Sequence, residues 1–239
     1  MEFINTNDIL NLLTLTGLEI ILGIDNVIFI ALLVEPLPAY LRKKVRIYGL
    51  SIALVLRIIM LFGATWMIGL TKPLFEIFSI EIAYKNILLF AGGLFLVIKS
   101  SLELKSMIGG EEDHQKTDNN ISKSKLWYVI YQIIFIDIVL SFDSIITAVG
   151  MSPGNLMVII VAVIIAMIVM LVFSSQVGEF IYKHPTIKVL GLAFIVLVGI
   201  FLISESIEMH IARGYLYCSL FFAGVIEAIN ILISKKHKV

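Results

Sequence analysis

Seven runs of apolar residues, each long enough to cross a lipid bilayer, leave this chain few folds to choose from. A crossing helix needs about 20 mainly apolar residues. Such runs lie at approximately 8–33, 46–71, 85–104, 126–150, 155–178, 187–209 and 214–234. Lipid offers the backbone no hydrogen-bond partners, so each run has to close its bonds internally as a helix. Composition agrees. Only 15% of the 239 residues are charged and 59% are hydrophobic, whereas a water-soluble domain keeps about a quarter of its residues charged to cover its surface. Lipid is the cover here, and the predicted fold is an all-α membrane protein with seven transmembrane helices. The first run follows Met1–Asp8, which lacks a basic n-region and has no small-residue cleavage site after it. It is therefore read as a span and not as a signal peptide.

The positive charges set the orientation. Thirteen Lys and Arg residues fall on one side: Arg42, Lys43, Lys44 and Arg46 after span one, Lys105, Lys116, Lys123 and Lys125 after span three, Lys183 and Lys188 after span five, and Lys235, Lys236 and Lys238 in the tail. Lys72, Lys85 and Arg213 fall on the other side. Basic loops stay in the cytoplasm, which puts the N-terminus outside and the C-terminus inside. Equal totals of 18 basic and 18 acidic residues leave no basic stripe for nucleic acid. The lone Cys218 offers neither a disulfide nor a CxxC metal or redox motif.

An internal repeat ties the spans together. Glu19-Ile20-Ile21-Leu22-Gly23-Ile24-Asp25-Asn26 in span one aligns with Asp137-Ile138-Val139-Leu140-Ser141-Phe142-Asp143-Ser144 in span four at a constant offset of 118, which is 137 minus 19 and 143 minus 25. Ile98–Leu104 and Ile203–Met209 align in the same way in spans three and six. The chain is read as a three-helix copy over 1–109, a cytoplasmic linker over 110–125, a second copy over 126–213, and a seventh helix with a basic tail over 214–239. An odd number of spans per copy inverts the second copy. Two inverted three-helix repeats about an axis in the membrane plane are a transporter architecture, with the site at the midplane between them.

Four acids inside spans need a reason to be there, since each costs about 2.5–3.5 kcal/mol on insertion scales. Six residues of helix separate the members of each pair by about 9 Å along the axis and by about 240° around it, so they form two stations and not one pincer. With span one running inward and span four outward, Asp143 falls outermost, Glu19 and Asp137 fall centrally and Asp25 innermost. That ladder suits a cation. Asp25-Asn26 and Asp143-Ser144 supply carboxylate, amide and hydroxyl oxygens without Cys or His, a donor set for Mg²⁺, Ca²⁺ or Mn²⁺ more than for Zn²⁺ or Cu⁺. Repulsion among the acids favours protons replacing the metal on the return stroke. Arg57 in span two is expected to pair with one of the carboxylates, because an unpaired guanidinium at that depth is costly. Gly23 is expected either to unwind its helix or to allow close packing, the latter weighing more. Lys99, Glu103, Glu205 and Glu208 read as charges snorkelling from helix ends, and Glu227 and Asn230 as deeper polar groups.

On the motifs EIILGIDNVIFIAL (Glu19–Leu32) and DIVLSFDSIITAVG (Asp137–Gly150), the chain resembles the TerC family of bacterial integral membrane proteins over nearly its full length. The resemblance implies a fold related to the LysE exporter group and export of Mn²⁺ across the bacterial plasma membrane. It also implies a link to enzymes metallated at the protein secretion machinery. The positions it carries over are Glu19, Asp25, Asp137 and Asp143, with Asn26 and Ser144 beside them. Mn²⁺ is then cargo, and no prosthetic group is implied. The competing readings are an intramembrane aspartyl protease and an exporter of tellurium oxyanions or amino acids. Ile24-Asp25 and Phe142-Asp143 lack the protease's flanking residues, and no HExxH, GxSxG or Gly-rich phosphate loop is present, so no enzyme activity is expected. Four acids would repel an anion.

Overall fold

Two prolines decide where the first span ends and the second begins. The computed structural model describes residues 6–63, 71, 73–77, 80–109, 123–151, 156–209 and 211–236. In it α1 (Thr6–Leu22) and α2 (Ile24–Val34) form one span interrupted at Gly23, and α3 (Ala39–Phe62) follows a short turn. Pro36 lies in that turn, and Pro38 caps α3 in an extended conformation (φ −54°, ψ 144°), positions where a missing N–H costs nothing. A hairpin of β1 (Pro73–Ile77) and β2 (Ile80–Ala83) precedes α4 (Tyr84–Gly109). It pairs antiparallel from Pro73 opposite Ala83 to Ile77 opposite Ile80, with an irregularity between Pro73 and Phe75. Then come α5 (Lys123–Met151), α6 (Leu156–Lys183), α7 (Pro185–Ser206) and α8 (Gly214–Lys236). Seven spans result, as the hydropathy predicts.

Several boundaries differ from the sequence reading: α4 runs to Gly109 and α6 to Lys183, so Lys105 and Lys183 stand on helices and not in loops. The second span starts at Ala39 and not near residue 46, so Arg42, Lys43, Lys44 and Arg46 stand on its first turns and not in a loop. Arg46 is buried, and its Nη2 donates to Ser175 Oγ of α6 at 3.0 Å. Lys188, also assigned to a loop, is buried on the first turns of α7. A charge count cannot separate a loop cation from one on a helix end, because the long stem reaches the interface from either. Lys123 and Lys125, at the end of the expected linker, belong to α5; residues 110–122 of that linker lie outside the described residues.

The helices assemble in matched pairs. Span three (α4) lies antiparallel on span six (α7); span one packs on span five (α6), and span two (α3) packs on span four (α5). On α6 the buried residues Ile159, Ala162, Val163, Ala166, Met167, Met170 and Ser174 recur at helical spacing, and Ala162, Ala166 and Ser174 let its neighbours approach closely. Without a hydrophobic force between helices in lipid, this closeness and its dispersion contacts supply the adhesion. The outer faces stay apolar, with Leu13, Phe62 and Phe221 two-thirds exposed or more, as a lipid-covered surface requires. Span seven (α8) packs chiefly on α7.

The α4–α7 crossing is tightest at Gly93 and Gly199. A Cβ built on Gly93 would sit 2.6 Å from the Gly199 carbonyl oxygen, and one on Gly199 would sit 2.8 Å from that of Gly93. Reciprocal ion pairs clip both ends: Lys85 to Glu205 at 3.8 Å, and Lys188 to Glu103 at 3.6 Å, with Lys188 also reaching Glu35 at 3.0 Å. Glu103 and Glu205, expected to snorkel, are held across the seam. Gly93→Ala is expected to lower stability by about 1–3 kcal/mol, the usual penalty of overpacking, read as a lower thermal unfolding midpoint in detergent. Gly224→Ala, with nothing within 4 Å of its Cβ, should leave the midpoint unchanged or raise it.

Candidate functional site

Spans one, two and four converge on three ionisable side chains inside the bundle. Glu19 of α1 is 2% exposed, Arg57 of α3 2% and Asp137 of α5 3%. Arg57 Nη2 donates to Asp137 Oδ1 at 2.9 Å, and its Nε lies 3.3 Å from both Asp137 oxygens. On its other side Nη1 donates to Glu19 Oε2 at 3.3 Å. The planar fork of the guanidinium suits this, since it engages one carboxylate by two donors and still has another for a second. Arg57 thus pairs with two acids, both aligned positions of the repeat, where one partner was expected.

The two acids are not held equally. Asp137 has a further donor in Ser141 Oγ, at 3.3 Å to Oδ2, so both of its oxygens are engaged. Glu19 Oε1 is buried with no hydrogen-bond partner, as are Asn26 Oδ1 and Gln132 Nε2. Buried polar groups are nearly always satisfied, and with Thr16 Oγ1 four exceptions lie on the spans that carry the acids. Two carboxylates against one guanidinium leave one formal negative charge in the bundle interior when both are ionised.

The remaining candidates stand apart from this triad. Asp25, on the first turn of α2, accepts the Asn26 backbone N–H on Oδ1 at 3.0 Å and is partly exposed. Asn26 is buried on α2. Ser144 Oγ donates back to the Ser141 carbonyl at 3.1 Å, within its own helix. Asp143 lies on α5, but its side chain is outside the described residues. Among the described residues no three His, Cys, Asp or Glu side chains converge on a point that could hold a metal ion. The two-station spacing on each helix accounts for this: Asp25 sits a turn and a half beyond Glu19 and on another face.

Gly23 combines the two roles weighed for it. The first span breaks there: its N–H bonds to Ile20 O at 3.2 Å, a tightened turn, and α2 starts afresh at Ile24. A Cβ at this position would also collide with Met170 Sδ of α6 and lie 3.0 Å from Glu19 O. The aligned residue of the second copy is Ser141, and α5 runs through it unbroken. Ser141 is a site residue that the sequence reading passes over; it stands one turn beyond Asp137, and that i,i+4 spacing was signal enough. A separate groove of 610 Å³ runs along α1, lined by Leu13, Gly17, Leu18, Ile21, Arg213 and Tyr217 among others; it does not contain the triad.

Removing the guanidinium leaves two carboxylates facing each other without a counter-charge. Arg57→Met is therefore expected to destabilise the protein by about 3–5 kcal/mol, the range for breaking a buried pair from one side. The triple variant Arg57→Met/Glu19→Gln/Asp137→Asn should recover much of that loss, because no charge is then orphaned. Thermal unfolding in detergent, compared across the two variants, reads the difference.

Comparison with known proteins now bears on this geometry. Residues 4–238 match the family described as "Integral membrane protein TerC family". The chain is 47% identical over 231 residues to a UPF0053 protein of Haemophilus influenzae, covering 96% of this chain and 95% of that one. It is 44% identical to the UPF0053 inner membrane protein YgdQ of Escherichia coli K12, covering 94% and 92%. A longer relative, the UPF0053 inner membrane protein YoaE of the same strain, is 41% identical, and the match covers 96% of this chain but 44% of YoaE. No solved structure matches.

Proposed function

This chain belongs to the TerC family of integral membrane proteins, and on that premise we propose that it exports a hard divalent metal cation, Mn²⁺ foremost, past its intramembrane carboxylates. One observation carries the reading: the aligned acids of spans one and four are both paired to a single buried guanidinium, two carboxylates to one cation, which leaves one negative charge when both are ionised. Acids in a bilayer interior are expensive, and a site that stays anionic after internal pairing is matched to a cation and mismatched to an oxyanion. Asp25 and Asn26 beyond Glu19, and Asp143 and Ser144 beyond Asp137, are the further oxygen donors that the two motifs supply in the sequence.

The helix pairing supports the two-copy architecture. Exchanging spans one, two and three with four, five and six turns the one–five contact into four–two and returns three–six to itself. Those are the packings present, and α4 and α7 run antiparallel, as inverted copies require. The basic-residue asymmetry favours an external N-terminus and a cytoplasmic tail, and the relatives named as inner membrane proteins support a bacterial inner-membrane location. Resetting the emptied carrier needs positive charge in place of the metal. Protons on the carboxylates are one source, and Arg57 is another.

In bacterial cells deprived of their own manganese export, this chain should restore growth in excess manganese. Asp25→Asn and Asp143→Asn variants that insert normally should instead accumulate Mn²⁺, several-fold above the wild type by elemental analysis. Wild-type accumulation in both variants would refute the site. Uptake by inverted vesicles across Mn²⁺, Mg²⁺, Ca²⁺ and Zn²⁺ ranks the cargo.

A further inference from the structure

Arg57 does more here than neutralise a misplaced acid. One carboxylate would be enough to neutralise it, yet the guanidinium spans two acids from opposite copies. Span five, the counterpart of span two, has no Lys or Arg over 155–178, so Arg57 has no second basic residue opposite it to share the two acids. Its grip is also uneven. Asp137 is held by Nη2 at 2.9 Å and by Nε, whereas Glu19 is held by one contact at 3.3 Å and keeps Oε1 without a partner. A divalent ion ligated by these carboxylates needs oxygens at about 2.0–2.6 Å, and it would compete for the oxygens and the charge that Arg57 now holds. The contact it would break most readily is the one to Glu19.

Resting on the metal-export reading, we propose that Arg57 is a tethered stand-in for the cargo. Metal arriving at Glu19 displaces the guanidinium from that carboxylate, and release of the metal lets the guanidinium return. The empty carrier then never has to reorient with two bare carboxylates facing each other. No bond is made or broken in this exchange; one cation replaces another at the same oxygens. The metal shifts the equilibrium between the two arrangements because it binds only the one in which Glu19 is free.

The consequence is kinetic. Exchange of metal for metal across the membrane uses only the loaded carrier, whereas net transport also needs the empty carrier to return. The full chain, reconstituted in liposomes, is tested with radioactive Mn²⁺ in two modes: net flux into metal-free vesicles, and exchange into vesicles preloaded with Mn²⁺. For Arg57→Gln the ratio of net flux to exchange should fall about tenfold or more, the rate equivalent of one charge-assisted hydrogen bond lost from the returning state. Arg57→Lys keeps the charge without the fork, and its ratio should lie between the two. If Arg57→Gln does not insert, the ratio in Arg57→Lys decides alone: a fall upholds the proposal and a wild-type value overturns it. A wild-type ratio in Arg57→Gln, whether both fluxes persist or both decline together, likewise overturns it and leaves export standing. A wild-type chain that moves no Mn²⁺ in either mode would instead refute the export reading on which the proposal rests.

Discussion

A guanidinium with no access to water, clasped between carboxylates from two other spans, is the interaction on which the interior of this protein depends. Each of the three charges alone would be heavily penalised inside a bilayer. Together they compensate one another only if α1, α3 and α5 meet at one depth and in one rotation. The triad therefore fixes the relative placement of spans that apolar contacts alone would leave free to slide, since leucines and isoleucines in lipid have little preference for one register over another. Ser141, supporting Asp137 from the next turn, adds a further constraint on the ring.

Around that anchor the packing is made by small residues at crossings and by charges at helix ends. Gly93 against Gly199 brings α4 and α7 backbone to backbone, and the Lys85–Glu205 and Lys188–Glu103 pairs close the two ends of the same seam. Glu35 draws the end of span one into the second of these clips. The long side chains at these helix ends connect three spans. The break at Gly23, filled by Met170 from α6, belongs to the same economy: where a side chain would collide, the chain has none, and the helix takes a tightened turn just beyond Glu19.

The two copies are alike in acids and unlike in everything that holds them. Glu19 and Asp137 align, but one has a free oxygen and the other has none. Gly23 and Ser141 align, but one interrupts its span and the other continues it. Arg57 has no basic counterpart in span five. That asymmetry fits the proposed exporter, in which a charged group held between the two aligned segments has to be bound and then let go.

The spans and their number were legible in the sequence because each depends on local composition: a run of apolar residues must be helical in lipid wherever the rest of the chain goes, and an acid in such a run is conspicuous on its own. The need of Arg57 for an acid was legible for the same reason. Which acids it would take was not, because its partners lie 38 and 80 positions away and several carboxylates had equal claim until packing set the distances. Arg46 and Lys188 looked like loop cations because burial of a charge at a helix end is decided by the neighbouring helix and not by the residue's own surroundings in the chain. The sequence alone thus determined a seven-span membrane protein with acids in matched places. The tertiary structure alone decided that two of those acids share one guanidinium while Asp25 remains outside their circle, since a side chain's electrostatic partner is a matter of distance in space, which local periodicity does not encode.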